Sequence, residues 1–137
     1  MTGKENLIEV LKSKPFVTFA YLFGSRIKGY SNERSDWDIA IYFSKPPQKI
    51  KGWPLFEIEA ELSRAIGSTV QVIALNSPVS PLLGFEILKE GEILVDRDEG
   101  IRIDIVNRIL RQYYDWQYFL KRHMDDYVSA KVDKTLI

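Results

Sequence analysis

The chain has no cysteine. That absence removes disulfides, zinc–thiolate centres and cysteine nucleophiles together. It has no net charge either: nineteen basic and nineteen acidic side chains cancel, so nothing suggests broad electrostatic attraction to nucleic acid, although a local basic patch stays compatible with that balance. No apolar run approaches membrane-spanning length, and the opening MTGKENLIEV lacks the apolar core of a signal peptide. The expectation is a cytoplasmic chain without a membrane segment. Histidine occurs once, as His123, far from the acidic residues considered below and beside Lys121-Arg122, where it reads as a surface residue. There are no repeats, linkers or low-complexity stretches. A Walker A loop is missing because Gly29 is followed by Tyr30 rather than lysine, and no Gly-x-Gly-x-x-Gly fingerprint occurs.

What is present is an ordered alternation of apolar patterns over 137 residues, enough for one domain with a real core. Leu7, Ile8 and Leu11 predict a short helix from Asn6 to Lys12, closed by Pro15. FVTFAYLF (16–23) predicts a buried strand between Pro15 and Gly24, and Ser25 can cap a short helix through about Gly29. A second strand is expected from Asp36 to Ser44, broken by Lys45-Pro46-Pro47. Leu55, Ile58, Leu62 and Ile66 place a helix over 55–66 that stops at Gly67, with Glu57, Glu59 and Glu61 on a solvated face. Further elements follow: a strand over Thr69–Leu75, a helix over Leu82–Lys89, and a short peripheral strand over Glu92–Asp96. From Asp98 to about Val128 the pattern is helical, with Ile105, Ile109, Tyr113, Trp116 and Leu120 as its core stripe. This order predicts an α/β fold: a small mixed β-sheet flanked by helices, in a single domain with its core over about 1–97 and a long C-terminal helix over about 98–128.

Chemistry concentrates between Tyr21 and Phe43. Gly24-Ser25 forms a strand-to-helix turn, where free backbone N–H groups and the helix dipole favour phosphate and glycine permits close approach. A plain glycine turn with a serine cap has the same appearance. Asp36 and Asp38 lie on one face of the second strand, about 7 Å apart, with Trp37 facing the other way. An acid entering an apolar strand is costly unless it is paired or coordinates metal. Arg26, Lys28 and Arg34 surround the turn and could neutralise phosphates, or simply be surface charge. Ser25 as a covalent nucleophile is set aside, since no histidine base is near. On the terminal helix, Tyr114, Tyr118 and Tyr127 fall off the core stripe and suit a protein contact.

Gly-Ser, ten residues, then Asp-x-Asp within strand–helix–loop–strand resembles the signature of the DNA polymerase β-like nucleotidyltransferases. The stretch LFGSRIKGYSNERSDWDIAIYF, together with VQVIALNSPVSPLLGFEILKEGEILVDRD and RQYYDWQYFL, resembles the minimal nucleotidyltransferases, in particular the MNT-type antitoxins encoded beside HEPN toxins. The resemblance implies magnesium-dependent transfer of a nucleoside monophosphate from a triphosphate to a hydroxyl. ATP would be the substrate and a tyrosine of a HEPN toxin the acceptor. It implies nucleotide binding by Gly24, Ser25 and Arg26, catalysis by Ser25, Asp36 and Asp38, and two Mg²⁺ ions on Asp36 and Asp38. One departure stands out. Family members carry a third acid on the next core strand, and here Gln71 falls at that position. An amide can ligate magnesium but cannot accept a proton. Reduced catalysis with a base from elsewhere, or decay into a module that neutralises a partner by binding alone, both follow from that loss. A nucleotidyltransferase for another acceptor, an antibiotic or an RNA end, is the remaining alternative.

Overall fold

The computed structural model describes residues 2–24 and 37–136, with side chains up to residue 131. Helix α1 (Gly3–Lys12) opens the chain and begins three residues before the apolar pattern does. A capping box explains the difference: Thr2 accepts the Glu5 N–H and the Glu5 carboxylate accepts the Thr2 N–H. Strand β1 (Val17–Phe23) is buried along nearly its whole length, and β2 (Trp37–Phe43) pairs with it antiparallel. Helix α2 (Pro54–Ile66) starts with proline in its first turn and ends at Gly67 in the left-handed conformation. It leads to β3 (Val70–Ala74), which lies parallel to β2. Helix α3 (Pro81–Glu90) is capped by Ser80 and followed by β4 (Glu92–Asp96) and α4 (Glu99–Leu136). The sheet order is β3-β2-β1-β4, so the short strand β4 is an edge, antiparallel to β1.

Two apolar layers cover the sheet because strand side chains alternate faces. On one face, Ile39, Ile41 and Phe43 pack with Leu7 and Leu11 of α1 and Ile58 and Leu62 of α2. On the other, Phe19, Tyr21 and Ala40 pack with Ile87 of α3 and Ile105 and Ile109 of α4. The mixed sheet, its flanking helices and the long terminal helix are those the sequence predicts.

Two expectations need correcting. The α2 glutamates are not all a solvated face. Glu59 accepts the Val72 N–H at 3.1 Å, Ser63 accepts the Val70 N–H at 3.0 Å, and Glu61 pairs with Lys14 at 2.5 Å. The first two occupy the outward donors of edge strand β3, which would otherwise offer a template for another strand. Leu120 does not pack on the domain either, being 44% exposed. The domain face of α4 ends near Tyr113, which stacks on Phe85 of α3 at 4.0 Å, and Trp116. From Gln117 to Lys131 every residue is exposed, while the helix itself continues to Leu136, past the expected end near Val128.

Candidate functional site

At the end of the sheet where β1 stops and β2 begins, the register brings three site residues together. Asp38 lies opposite Phe23 on β1 and opposite Gln71 on β3. Gly24 follows directly with φ of 89°, a conformation that disfavours residues with a β-carbon. A β-carbon built there would overlap the Asp38 Oδ2. The turn therefore presses bare backbone against a carboxylate, an approach only glycine allows. Trp37 packs in the layer with α1 and α2, so Asp38 faces the α3 side, as strand alternation requires.

Gly24, Asp38 and Gln71 line one cleft of about 370 Å³, closed by Phe23 and Ile73 from the sheet and by Leu83, Glu86 and Glu90 from α3. Gln71 thus stands where the third acid was expected, on the strand beside Asp38 and in the same cleft. Ser25, Arg26, Lys28, Arg34 and Asp36 lie outside the described residues. His123 is exposed on α4 and stacks on Phe119 at 4.8 Å, in agreement with its surface assignment.

Sequence reasoning missed Glu86 and Glu90. They sit one helical turn apart and so project from one side of α3. Glu86 is exposed, whereas Glu90 is half-buried with its Oε2 fully enclosed. The signal available was their four-residue spacing together with Leu83, in a helix whose C-terminal end would electrostatically prefer cations.

The donor set of the cleft is entirely oxygen: three carboxylates and an amide. That chemistry suits a hard cation such as Mg²⁺ and offers nothing to a softer metal. Among the described residues no three acidic or histidine side chains form a metal-holding group, so Asp38 would need a ligand such as Asp36 beside it. A larger groove of about 760 Å³ lies elsewhere, along α4, lined by Leu82, Tyr113, Trp116 and Met124 among others. No carboxylate lines it.

Comparison with known proteins gives a consistent picture. The family model described as polymerase beta, nucleotidyltransferase matches residues 5–100. No curated protein matches. Among solved structures, a toxin–antitoxin complex with AMP-PNP contains a chain that superposes with a TM-score of 0.74 at 23% identity, covering 93% of this chain and 99% of that one. An MntA–HepT toxin–antitoxin complex gives 0.67 at 21% identity, over 92% and 97% of the two chains. A tri-AMPylated HEPN toxin of Shewanella oneidensis in complex with its MNT antitoxin gives 0.68 at 21%, over 92% and 96%. These likenesses concern the fold. No helix among the described residues is long and apolar enough to cross a membrane.

Proposed function

Because the chain belongs to the polymerase β nucleotidyltransferase family, we propose that it transfers AMP from ATP to a tyrosine hydroxyl of a HEPN toxin and thereby acts as an antitoxin. The observation that carries this is the contact of Gly24 with Asp38 at the mouth of the α3-side cleft, with Gln71 in register beside it. A bare-backbone turn suits a triphosphate, and an adjacent carboxylate suits the metal that accompanies it.

In the proposed reaction the acceptor oxygen attacks the α-phosphorus in line. The bond from that phosphorus to the bridging oxygen breaks, and pyrophosphate leaves with the electron pair. Gly24, Ser25 and Arg26 hold the triphosphate through backbone, hydroxyl and guanidinium donors. Asp36 and Asp38 hold magnesium. When bound, the metal supplies charge neutralisation at the attacking and leaving oxygens. The apolar wall of Phe23, Ile73 and Leu83 limits water, which would otherwise compete as acceptor.

The partner assignment draws on the proteins with which the similar antitoxins are found and on the exposed side of α4. There Tyr114, Tyr118 and Tyr127 are 58%, 65% and 57% exposed on a helix that projects beyond its own domain. Aromatic side chains of that kind supply interface anchors. The test is to incubate purified protein with magnesium, ATP labelled in the adenine and a HEPN toxin. Labelled toxin is expected, and the double variant Asp36→Asn, Asp38→Asn should leave it unlabelled. Equal labelling by the double variant would sink the metal-site assignment.

The second proposal, neutralisation by binding alone, is favoured by one specific observation: the residue opposite Asp38 on β3 and lining the same cleft is an amide, Gln71, rather than an acid. A large gain of activity from almost nothing on Gln71→Asp would support it.

A further inference from the structure

We propose that Glu86 of α3 accepts the proton of the attacking hydroxyl, replacing the acid that β3 lacks at Gln71. This rests on the nucleotidyl-transfer function argued above and adds the residue that completes it. The cleft containing Asp38 and Gln71 has a second wall, α3, and that wall carries carboxylates: Glu86 and Glu90 line it with Leu83. Asp38, Glu86 and Glu90 are the only carboxylates among the described residues of this cleft. In the proposed site Asp38 would hold the metal, which leaves the α3 carboxylates for proton transfer.

The two α3 glutamates differ in a way that assigns their roles. Glu90 is the last residue of the helix, half-buried, with its Oε2 enclosed. It is the less accessible of the two and acts as a positioning residue. Glu86 is one turn earlier and exposed, so an acceptor arriving from solvent meets it first. Glu90 closes α3, where the helix dipole disfavours anions, whereas Glu86 lies a full turn before that end. Both line the cleft that also holds Asp38. Two carboxylates brought by α3 to the cleft that holds Asp38 and Gln71 point to a role in its chemistry.

The step balances without a further reactant. The acceptor O–H bond breaks as its oxygen bonds the α-phosphorus, and the proton passes to a Glu86 carboxylate oxygen. Pyrophosphate departs with the electrons of the broken P–O bond, and Glu86 later returns the proton to solvent.

The experiment compares wild type, E86Q, E90Q and the double variant E86Q/Q71E. It measures single-turnover AMP transfer to a purified HEPN toxin, binding of AMP-PNP with magnesium by calorimetry, and the thermal midpoint. A positioned general base contributes about 10²- to 10⁴-fold. E86Q is therefore expected to slow transfer at least a hundredfold, with AMP-PNP affinity within threefold and the midpoint unchanged. Q71E in the E86Q background should restore transfer at least tenfold, because it returns a carboxylate to the cleft from the strand side. E90Q should slow transfer by less than E86Q does. Transfer by E86Q within threefold of wild type would overturn the proposal. So would an E86Q loss matched by E90Q and unrelieved by Q71E, which marks a general charge effect. Wild-type protein that binds AMP-PNP yet labels no toxin overturns the nucleotidyl-transfer function itself, an outcome separate from equal activity of wild type and E86Q.

Discussion

Replacing Gly24 with alanine tests the geometry of the cleft with a matched control elsewhere in the chain. Two costs arise at Gly24. The first is conformational: at φ of 89° a residue with a β-carbon is disfavoured by about 1–2 kcal/mol. The second is steric: the new methyl overlaps the Asp38 Oδ2, and turning that carboxylate off its rotamer adds about 0.5–1.5 kcal/mol. Together Gly24→Ala should cost about 1.5–3.5 kcal/mol. At about 3–4 °C per kcal/mol for a domain of this size, the thermal midpoint should fall by about 5–14 °C. Gly67 provides the control. Its φ is 67°, but a β-carbon there meets nothing within 4 Å. Gly67→Ala should cost only the first term, about 1–2 kcal/mol. Thermal unfolding followed by circular dichroism reads both variants, and labelled-ATP transfer reads the consequence for Asp38. A small misplacement of a catalytic group can cost about 10²-fold. Gly24→Ala should therefore lose most of its transfer while still folded, and Gly67→Ala should keep it. If both variants unfolded at the same temperature and transferred equally, the close approach of Gly24 to Asp38 would be refuted.

Other outcomes follow from the packing. Leu62 of α2 is fully buried in the layer with α1, so Leu62→Ala should destabilise the chain by about 2–5 kcal/mol in urea unfolding. Transfer by the fraction that remains folded should be unchanged. Ending the chain after Gln117 removes a segment whose described side chains, 118–131, are all exposed, so the thermal midpoint should move by less than about 2 °C, while toxin affinity by calorimetry falls at least tenfold. Within the intact chain, Tyr118→Ala should weaken toxin binding with no loss of stability. Unchanged toxin binding in that variant and in Tyr114→Ala would remove α4 from the interface.

The sequence carried most of the architecture because its periodicities are clean. Val17–Phe23 alternates into two packed layers between Pro15 and Gly24, and Leu55, Ile58, Leu62 and Ile66 sit one helical turn apart. Helix termini were less legible where side-chain capping decided them: Thr2 and Glu5 start α1 ahead of its first apolar residue. Leu120 follows the helical stripe perfectly but lies beyond the last element available to cover it, which periodicity within one helix cannot reveal. The site divided in the same way. Gly24, Asp38 and Gln71 are legible because strand spacing fixes which face each occupies and register sets them side by side. Glu86 and Glu90 come from a helix packed across the cleft, and only tertiary packing brings them there. The same holds for Glu59, whose bond to the Val72 N–H depends on where α2 lies against the sheet edge.

The central claim, transfer of the nucleotidyl group, is tested most directly by the position of the label. Two parallel reactions with a purified HEPN toxin and magnesium would use ATP labelled at the α-phosphate or at the γ-phosphate. The account predicts label on the toxin from α-labelled ATP alone, labelled pyrophosphate from γ-labelled ATP, and loss of both signals in Asp38→Asn. Toxin labelled from the γ-phosphate, or α-labelling undiminished in Asp38→Asn, would contradict it.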